Sequence, residues 1–202
     1  MKQKKTVLLI LHCFLVLQCT AQINPYNYHS QKKVVCTNGA VVSAHPLASK
    51  AGLQILKQGG NAFDAAIATQ LALAVVYPGA GNIGGGGFLV AHLKNGKNIA
   101  IDYREKAPAK ATRDMYLDSM GNPKMHLSQD GHLAADVPGT VAGLFASMKY
   151  ARLPFKTLIQ PAIDLAEKGF AVTASQAASF NYTKKEFVAL NTAAVAFVKE
   201  TE

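Results

Sequence analysis

Arginine is scarce in this sequence: three of its 21 basic residues are Arg and the rest are Lys. No basic run is interleaved with aromatic residues, so a nucleic-acid surface, which usually gathers Arg and Lys on one face, is not expected. Charged residues make up only 16%, too few for a coiled coil, and the sixteen Gly and eight Pro follow no collagen period. No internal repeat or low-complexity tract appears. Histidine occurs as isolated singles (His12, His29, His45, His92, His126 and His132), without the Cys or His spacing of a zinc site. The longest apolar run, Val7 to Leu17, is about eleven residues where a membrane span needs roughly 20, so no transmembrane anchor is expected. What is present, 202 residues of which 50% are hydrophobic, is a globular chain with ample material for a core.

The N-terminus reads as a targeting segment. Lys2-Gln3-Lys4-Lys5 precedes the apolar run, and Cys19-Thr20-Ala21 then offers small residues to a signal peptidase, so residues 1–21 should be removed before Gln22. The product should be exported, periplasmic or extracellular. Lipoprotein anchoring through Cys19 ranks second, because the preceding Gln18 is large and polar. Cleavage lowers the formal charge from +9 to +6, since Lys2, Lys4 and Lys5 go with the peptide. It also leaves Cys36 as a lone cysteine, which excludes an internal disulfide. Residues 22–33 are polar with one proline, an exposed leader, and residues 34–202 form the main body.

Within that body Ala40–Ala44 reads as a short buried strand. Pro46 then suits a first helical turn, and Ala48, Ala51, Gly52 and Ile55 fall on one helical face until Gly59-Gly60 stops it. Asn61 N-caps a second helix with Asp64 in its first turn, and residues 65–76 are apolar nearly all round, so that helix should lie between layers. Phe88–Leu93 and Asn98–Tyr103, joined through Asn95-Gly96, predict a β-hairpin. Pro138-Gly139 precedes a helix with Val141, Leu144, Phe145 and Met148 on one face. Pro154–Lys168 is helical with an interruption near Pro161, and Thr173 with Gln176 forms a capping box for a last helix. Together these elements give a layered α+β fold.

Chemistry is sparse. Gly84 to Gly87 opens a strand rather than a helix and no Gly-Lys-Ser or Gly-Lys-Thr follows, so it is no phosphate cradle; it reads as close packing or the wall of a site. Arg104 stands where the second strand of the hairpin ends. Its fork can hold a carboxylate through two parallel bonds, but from spacing alone a surface ion pair with Asp102 or Glu105 is the favoured reading. No Gly-x-Ser-x-Gly occurs, and Ser43, Ser49, Thr37 and Thr140 lack a recognisable partner.

Five ordered motifs carry a resemblance. Ser43-Ala44-His45-Pro46-Leu47-Ala48-Ser49, Gly59-Gly60-Asn61-Ala62-Phe63-Asp64-Ala65-Ala66, Gly84-Gly85-Gly86-Gly87-Phe88, Tyr103-Arg104-Glu105-Lys106-Ala107-Pro108 and Val137-Pro138-Gly139-Thr140-Val141-Ala142-Gly143 resemble the gamma-glutamyltransferases, or glutathione hydrolases. The likeness runs from about Val34 to Phe170 and then weakens. It implies an N-terminal nucleophile hydrolase with a four-layered αββα core, exported, and cut by itself from one precursor into a large and a small subunit. It also implies that a Thr heading the small subunit attacks gamma-glutamyl amides with its own amine as base. No Thr-Thr pair of the kind that holds this nucleophile occurs in the sequence. The resemblance therefore covers the front of the large subunit, inactive by itself, with the apolar face of residues 62–76 left uncovered. Arg104 matches the arginine that grips the α-carboxylate of the gamma-glutamyl group, while the glycine run and Asp64 match architectural positions. No metal or organic cofactor is implied; the partners are glutathione or a similar donor and the small subunit. A same-fold acylase of glutaryl-cephalosporin-like amides, or a non-catalytic exported scaffold, are the rival readings.

Overall fold

The computed structural model describes residues 35–191 and Val198. The expected signal peptide (1–21) and the whole of the leader (22–33) lie outside the described residues, as do their cysteines and histidines. Contacts divide the chain after Cys36, which is free and exposed. Every element below belongs to the unit beginning at Thr37.

Helix α1 (Pro46–Lys57) starts as its sequence dictates, with His45 as N-cap and Pro46 in the first turn. Its buried residues are the four expected, Ala48, Ala51, Gly52 and Ile55. Gly59 follows at φ +91°, a backbone that L side chains rarely adopt. Helix α2 (Ala62–Val76) is buried along nearly its whole circumference, leaving only Ala62 and Ala66 open. The expectation of an uncovered apolar face over residues 62–76 is thus overturned. Ile67, Ala68 and Leu71 pack with Ile55 of α1 and with Leu144, Leu158 and Ala162 of later helices, and Ala72 and Val76 pack with Ala48 and Ala51. Close approach makes this possible. A methyl group on Gly52 would strike Thr69 Oγ1 and lie 3.0 Å from the Ala65 carbonyl oxygen.

The hairpin forms as read. Strand β1 (Phe88–His92) pairs antiparallel with β2 (Asn98–Asp102) in the register Phe88↔Asp102 to His92↔Asn98, with Gly96 at φ +83° in the turn. Burial alternates: Leu89, Ala91, Ile99 and Ile101 face inward, whereas Phe88 and Val90 are 62% and 82% exposed. The outer face of this hairpin is therefore one of the apolar surfaces left open among the described residues.

After β2 the chain leaves on a long excursion and returns where Lys106 and Val137 form an antiparallel bridge, their N–H groups donating reciprocally at 3.1 and 2.8 Å. One 3₁₀ turn (His132–Ala134) lies within it, and Tyr116 donates its hydroxyl to the Leu133 carbonyl at 2.9 Å. Helices α3 (Thr140–Met148), α4 (Phe155–Lys168) and α5 (Ala174–Leu190) complete the order. The capping box of Thr173 and Gln176 is present, and Gln176 also donates to the Val76 carbonyl at 2.8 Å, fastening α5 to the end of α2.

Three expectations need correction. Ala40–Ala44 alternates in burial like a strand, but among the described residues no strand pairs with it and Val42 is 90% exposed. Helix α4 continues through Pro161: the lost N–H forfeits one hydrogen bond, while Leu158 before it and Ala162 after it are held in the core. Helix α3 buries Leu144 and half-buries Met148 against the core as expected, but its other buried residues are the small Thr140, Gly143 and Ser147; Val141 and Phe145 are about half exposed, and Phe145 instead lies 4.9 Å, ring to ring, from Phe155. At position 143 a glycine faces inward because a tyrosine ring occupies the space beside it.

His45 couples this architecture to pH. Its Nδ1 accepts from Leu47 N–H at 3.2 Å, which requires that nitrogen to be unprotonated, and burial holds its pKa below the ordinary 6.5. A group whose folded pKa is depressed resists charging, so its contribution is complete above pH 6.5 and is lost as pH falls through the folded value. His45→Asn keeps an N-cap acceptor without the titration. The melting temperature of the wild type should therefore fall relative to the variant between neutral pH and pH ~5. Asp118, held low first by the Asn122 backbone N–H, and Asp164, held low first by the Gln160 amide, titrate below their ordinary 3.8, outside this window. Parallel melting curves would remove His45 as the cause.

Candidate functional site

Three short segments converge at the end of β2. Asn82 organises the first: its Oδ1 accepts from Gly85 N–H and from the Thr140 hydroxyl, both at 2.8 Å. The Gly85 carbonyl in turn accepts from the N–H groups of Gly139 and Thr140 at 2.8 and 2.9 Å, tying the glycine run to the start of α3. Between these two segments runs Tyr103–Lys106. Tyr103 N–H donates to the Gly87 carbonyl at 3.0 Å on one side, and Lys106 pairs with Val137 on the other.

The glycine run is explained by contact. A Cβ on Gly86 would lie 2.6 Å from Glu105 Oε2 and 2.7 Å from the Arg104 Cα, and one on Gly87 would lie 2.9 Å from Tyr103 Cε2. Gly139 meets the Tyr103 carbonyl and Gly143 the Tyr103 ring just as closely. Only Gly84 of the run faces open space. The sequence reading missed Asn82 and Tyr103. The small inward-facing residues of α3, Thr140, Gly143 and Ser147, spaced three and four apart, were the available signal that something packs closely there; at Gly143 it is the Tyr103 ring.

Arg104, the one site residue expected from the sequence, leaves this ledge outward, with its side chain 64% exposed. Its guanidinium carbon lies 5.2 Å from the centroid of the Phe88 ring, and its Nε is 3.7 Å from Asp102 Oδ1, which also accepts from the Arg104 N–H at 3.0 Å. Phe88 and Asp102 are cross-strand partners, so the arginine lies over one pair of the hairpin's outer face. The anticipated contact with Asp102 is thus formed; exposed as it is, it contributes little to stability. Beside the arginine a groove of about 300 Å³ runs between the hairpin end and α3, lined by Arg104, Lys106, Val137, Gly139, Ala142 and Ala146 among others. Asp102 lines it too, but two cations against one carboxylate on an otherwise mainly apolar groove still suit a small ligand that carries a carboxylate. Ser43 and Ser49 share a 2.8 Å hydrogen bond elsewhere, at the start of α1, and are not brought to this groove.

Asp64 performs a different task. Fully buried, it accepts from the N–H groups of Asn61 (2.7 Å), Arg152 (3.1 Å) and Leu153 (3.0 Å), while Asn61 Nδ2 donates to the Tyr150 carbonyl at 2.7 Å. The start of α2 is thereby locked to the turn between α3 and α4, the architectural role read from the motif.

Comparison with known proteins places this arrangement. The chain is similar to a glutathione hydrolase proenzyme of Pseudomonas sp. (strain A14), 53% identical over 150 residues, which is 73% of this chain and 26% of that protein. Among solved structures it is similar to the gamma-glutamyltranspeptidase of Helicobacter pylori, with a TM-score of 0.75 and 52% identity over 78% of this chain and 45% of that one. A cephalosporin acylase from Bacillus halodurans is more distant, at a TM-score of 0.69 and 32% identity over 87% of this chain and 33% of that one. This chain thus spans about a quarter of the length of the curated relatives it matches. The family profile of gamma-glutamyltranspeptidase matches residues 48–202, continuing past Phe170 where the motifs alone fade. On these matches the chain belongs to the gamma-glutamyltranspeptidase family.

Proposed function

We propose that residues 34–202 are the front portion of the large subunit of an exported enzyme that cleaves the gamma-glutamyl amide of glutathione and related donors. Residues 1–21 would act as its signal peptide and 22–33 as its exposed leader. The acyl group passes to water or to an amino acid through an ester on a Thr that the small subunit of the same precursor supplies. That hydroxyl is activated by its own free amine, and this chain contributes the grip on the substrate. The observation that carries the reading is Arg104, at a strand end beside a groove with a second cation, within the Arg-Glu-Lys-Ala-Pro stretch. A planar guanidinium bonds a carboxylate bidentately and so fixes the donor's position as well as its charge. Among the described residues no helix is long and apolar enough to cross a membrane.

Expression of the complete open reading frame in a secreting host tests the reading in one experiment. The exported product should begin at or near Gln22, resolve into two polypeptides, and release p-nitroaniline from a gamma-glutamyl anilide. Residues 1–202 by themselves should release none. A retained Met1 or a diacylglycerol-modified Cys19 would refute the targeting, and activity of the 202-residue chain would refute the division of labour. The likeness to the cephalosporin acylase gives a second reading, with a glutaryl amide in place of the gamma-glutamyl one. A preference for glutaryl over gamma-glutamyl anilide would favour it.

A further inference from the structure

We infer that Tyr103 is a positioning residue whose ring, wedged among glycines, sets the aim of Arg104. This rests on the reading of Arg104 as the carboxylate clamp. Successive residues of an extended backbone point to opposite faces, and burial follows that rule here: Tyr103 is half-buried and Arg104 exposed. The inward ring occupies a slot that two glycines leave open, and a third lets the backbone of the same residue approach. Gly87 meets the hydroxyl end of the ring, Gly143 meets its root, and Gly139 meets the Tyr103 carbonyl. Gly86 adds a fourth close approach, against the Arg104 Cα itself. The backbone on both sides of the Cα that launches the clamp is therefore fixed by the fit of one ring.

The ring, rather than the hydroxyl, makes this fit. The hydroxyl's partners, Gln70 Oε1 and the Phe88 carbonyl, both stand at 3.4 Å, too long for strong bonds. A smaller aliphatic side chain in the slot frees the strand end to rotate, and a methyl on Gly87 pushes the far end of the ring from below. Either change displaces the guanidinium without altering its chemistry, and small displacements of a binding group cost much of its effect.

The test uses the processed enzyme from the complete reading frame, with steady-state kinetics on a gamma-glutamyl anilide and processing followed on a gel. Tyr103→Leu should raise the donor KM by about tenfold while kcat changes little, because a clamp that holds ground and transition states alike acts on KM. Gly87→Ala should raise it by a few-fold, and Tyr103→Phe, which restores the ring, should recover most of the loss. In an Arg104→Ala background, Tyr103→Leu should leave KM where the first change put it, since the effect runs through the arginine. Additive effects in that double variant would mark a general structural role and overturn the inference. So would an unchanged KM in Tyr103→Leu while Arg104→Ala raises it, and in that case the clamp reading survives. If Tyr103→Leu fails to process, Gly87→Ala decides by the same criterion. An unchanged KM in Arg104→Ala refutes the clamp first, and with it the positioning role.

Discussion

Arg104→Ala in the processed enzyme is expected to raise the KM for a gamma-glutamyl donor by roughly thirtyfold or more, corresponding to about 2–5 kcal/mol for a charge-assisted bidentate contact. The arginine's present neighbours offer little competition. Its ion pair with Asp102 is exposed on both sides, and the Phe88 ring beneath it keeps the guanidinium over the hairpin without satisfying its hydrogen-bond donors. An incoming carboxylate therefore exchanges a weak contact for a strong one. Arg104→Lys retains the charge but loses the fork, so it should recover only part of the affinity. Self-cleavage should survive both changes, since the clamp holds the substrate rather than the scissile peptide. Steady-state kinetics with a gel for processing separate these effects; a wild-type KM in both variants would leave Arg104 as a surface ion-pair partner.

Asp64→Ala should destabilise the fold by about 3–5 kcal/mol, the largest effect expected of any side chain outside the apolar core. The carboxylate satisfies three backbone donors from two distant stretches of chain, and all three lose their partner at once. Asp64→Asn has nearly the same shape but presents an amide N–H toward donors, so about half of the loss should persist. Asn61→Ala, which loses the cap and the bond to the Tyr150 carbonyl, should cost less, about 1–2 kcal/mol. Urea denaturation of the same secreted protein measures all three. A loss below about 1 kcal/mol for Asp64→Ala would show that water replaces the carboxylate easily, and that the lock is not tight.

The elements legible in the sequence share one property: the residues that define them are near neighbours. Pro46 in a first turn, the Asn61–Asp64 box, Asn95-Gly96 and Thr173 with Gln176 each make contacts within a few positions, and all four stand as read. The misreadings concern contacts made across the chain. Ala40–Ala44 has strand composition, but pairing depends on a partner that composition does not reveal. Pro161 carries a local penalty that burial of Leu158 and Ala162 outweighs. On α3 Leu144 and Met148 face the core as read, but Gly143 fits the Tyr103 ring, about forty residues away, so hydrophobicity misplaced Val141 and Phe145. Arg104 was legible only through the family resemblance; its spacing alone allowed the ion pair that the structure in fact contains.

The bridge between Lys106 and Val137 has an evolutionary consequence. It closes an excursion of about thirty residues at the neck, so the ledge beneath Arg104 is held by the two ends of the excursion and not by its contents. The closure entropy of a loop grows only logarithmically with length, about 0.6 kcal/mol for each doubling. Insertions and deletions between those ends are therefore nearly neutral for the clamp. This stretch is free to diverge in size and composition while the glycines, Tyr103 and Arg104 remain constrained, and selection can reshape the approach to the groove here without rebuilding the groove itself.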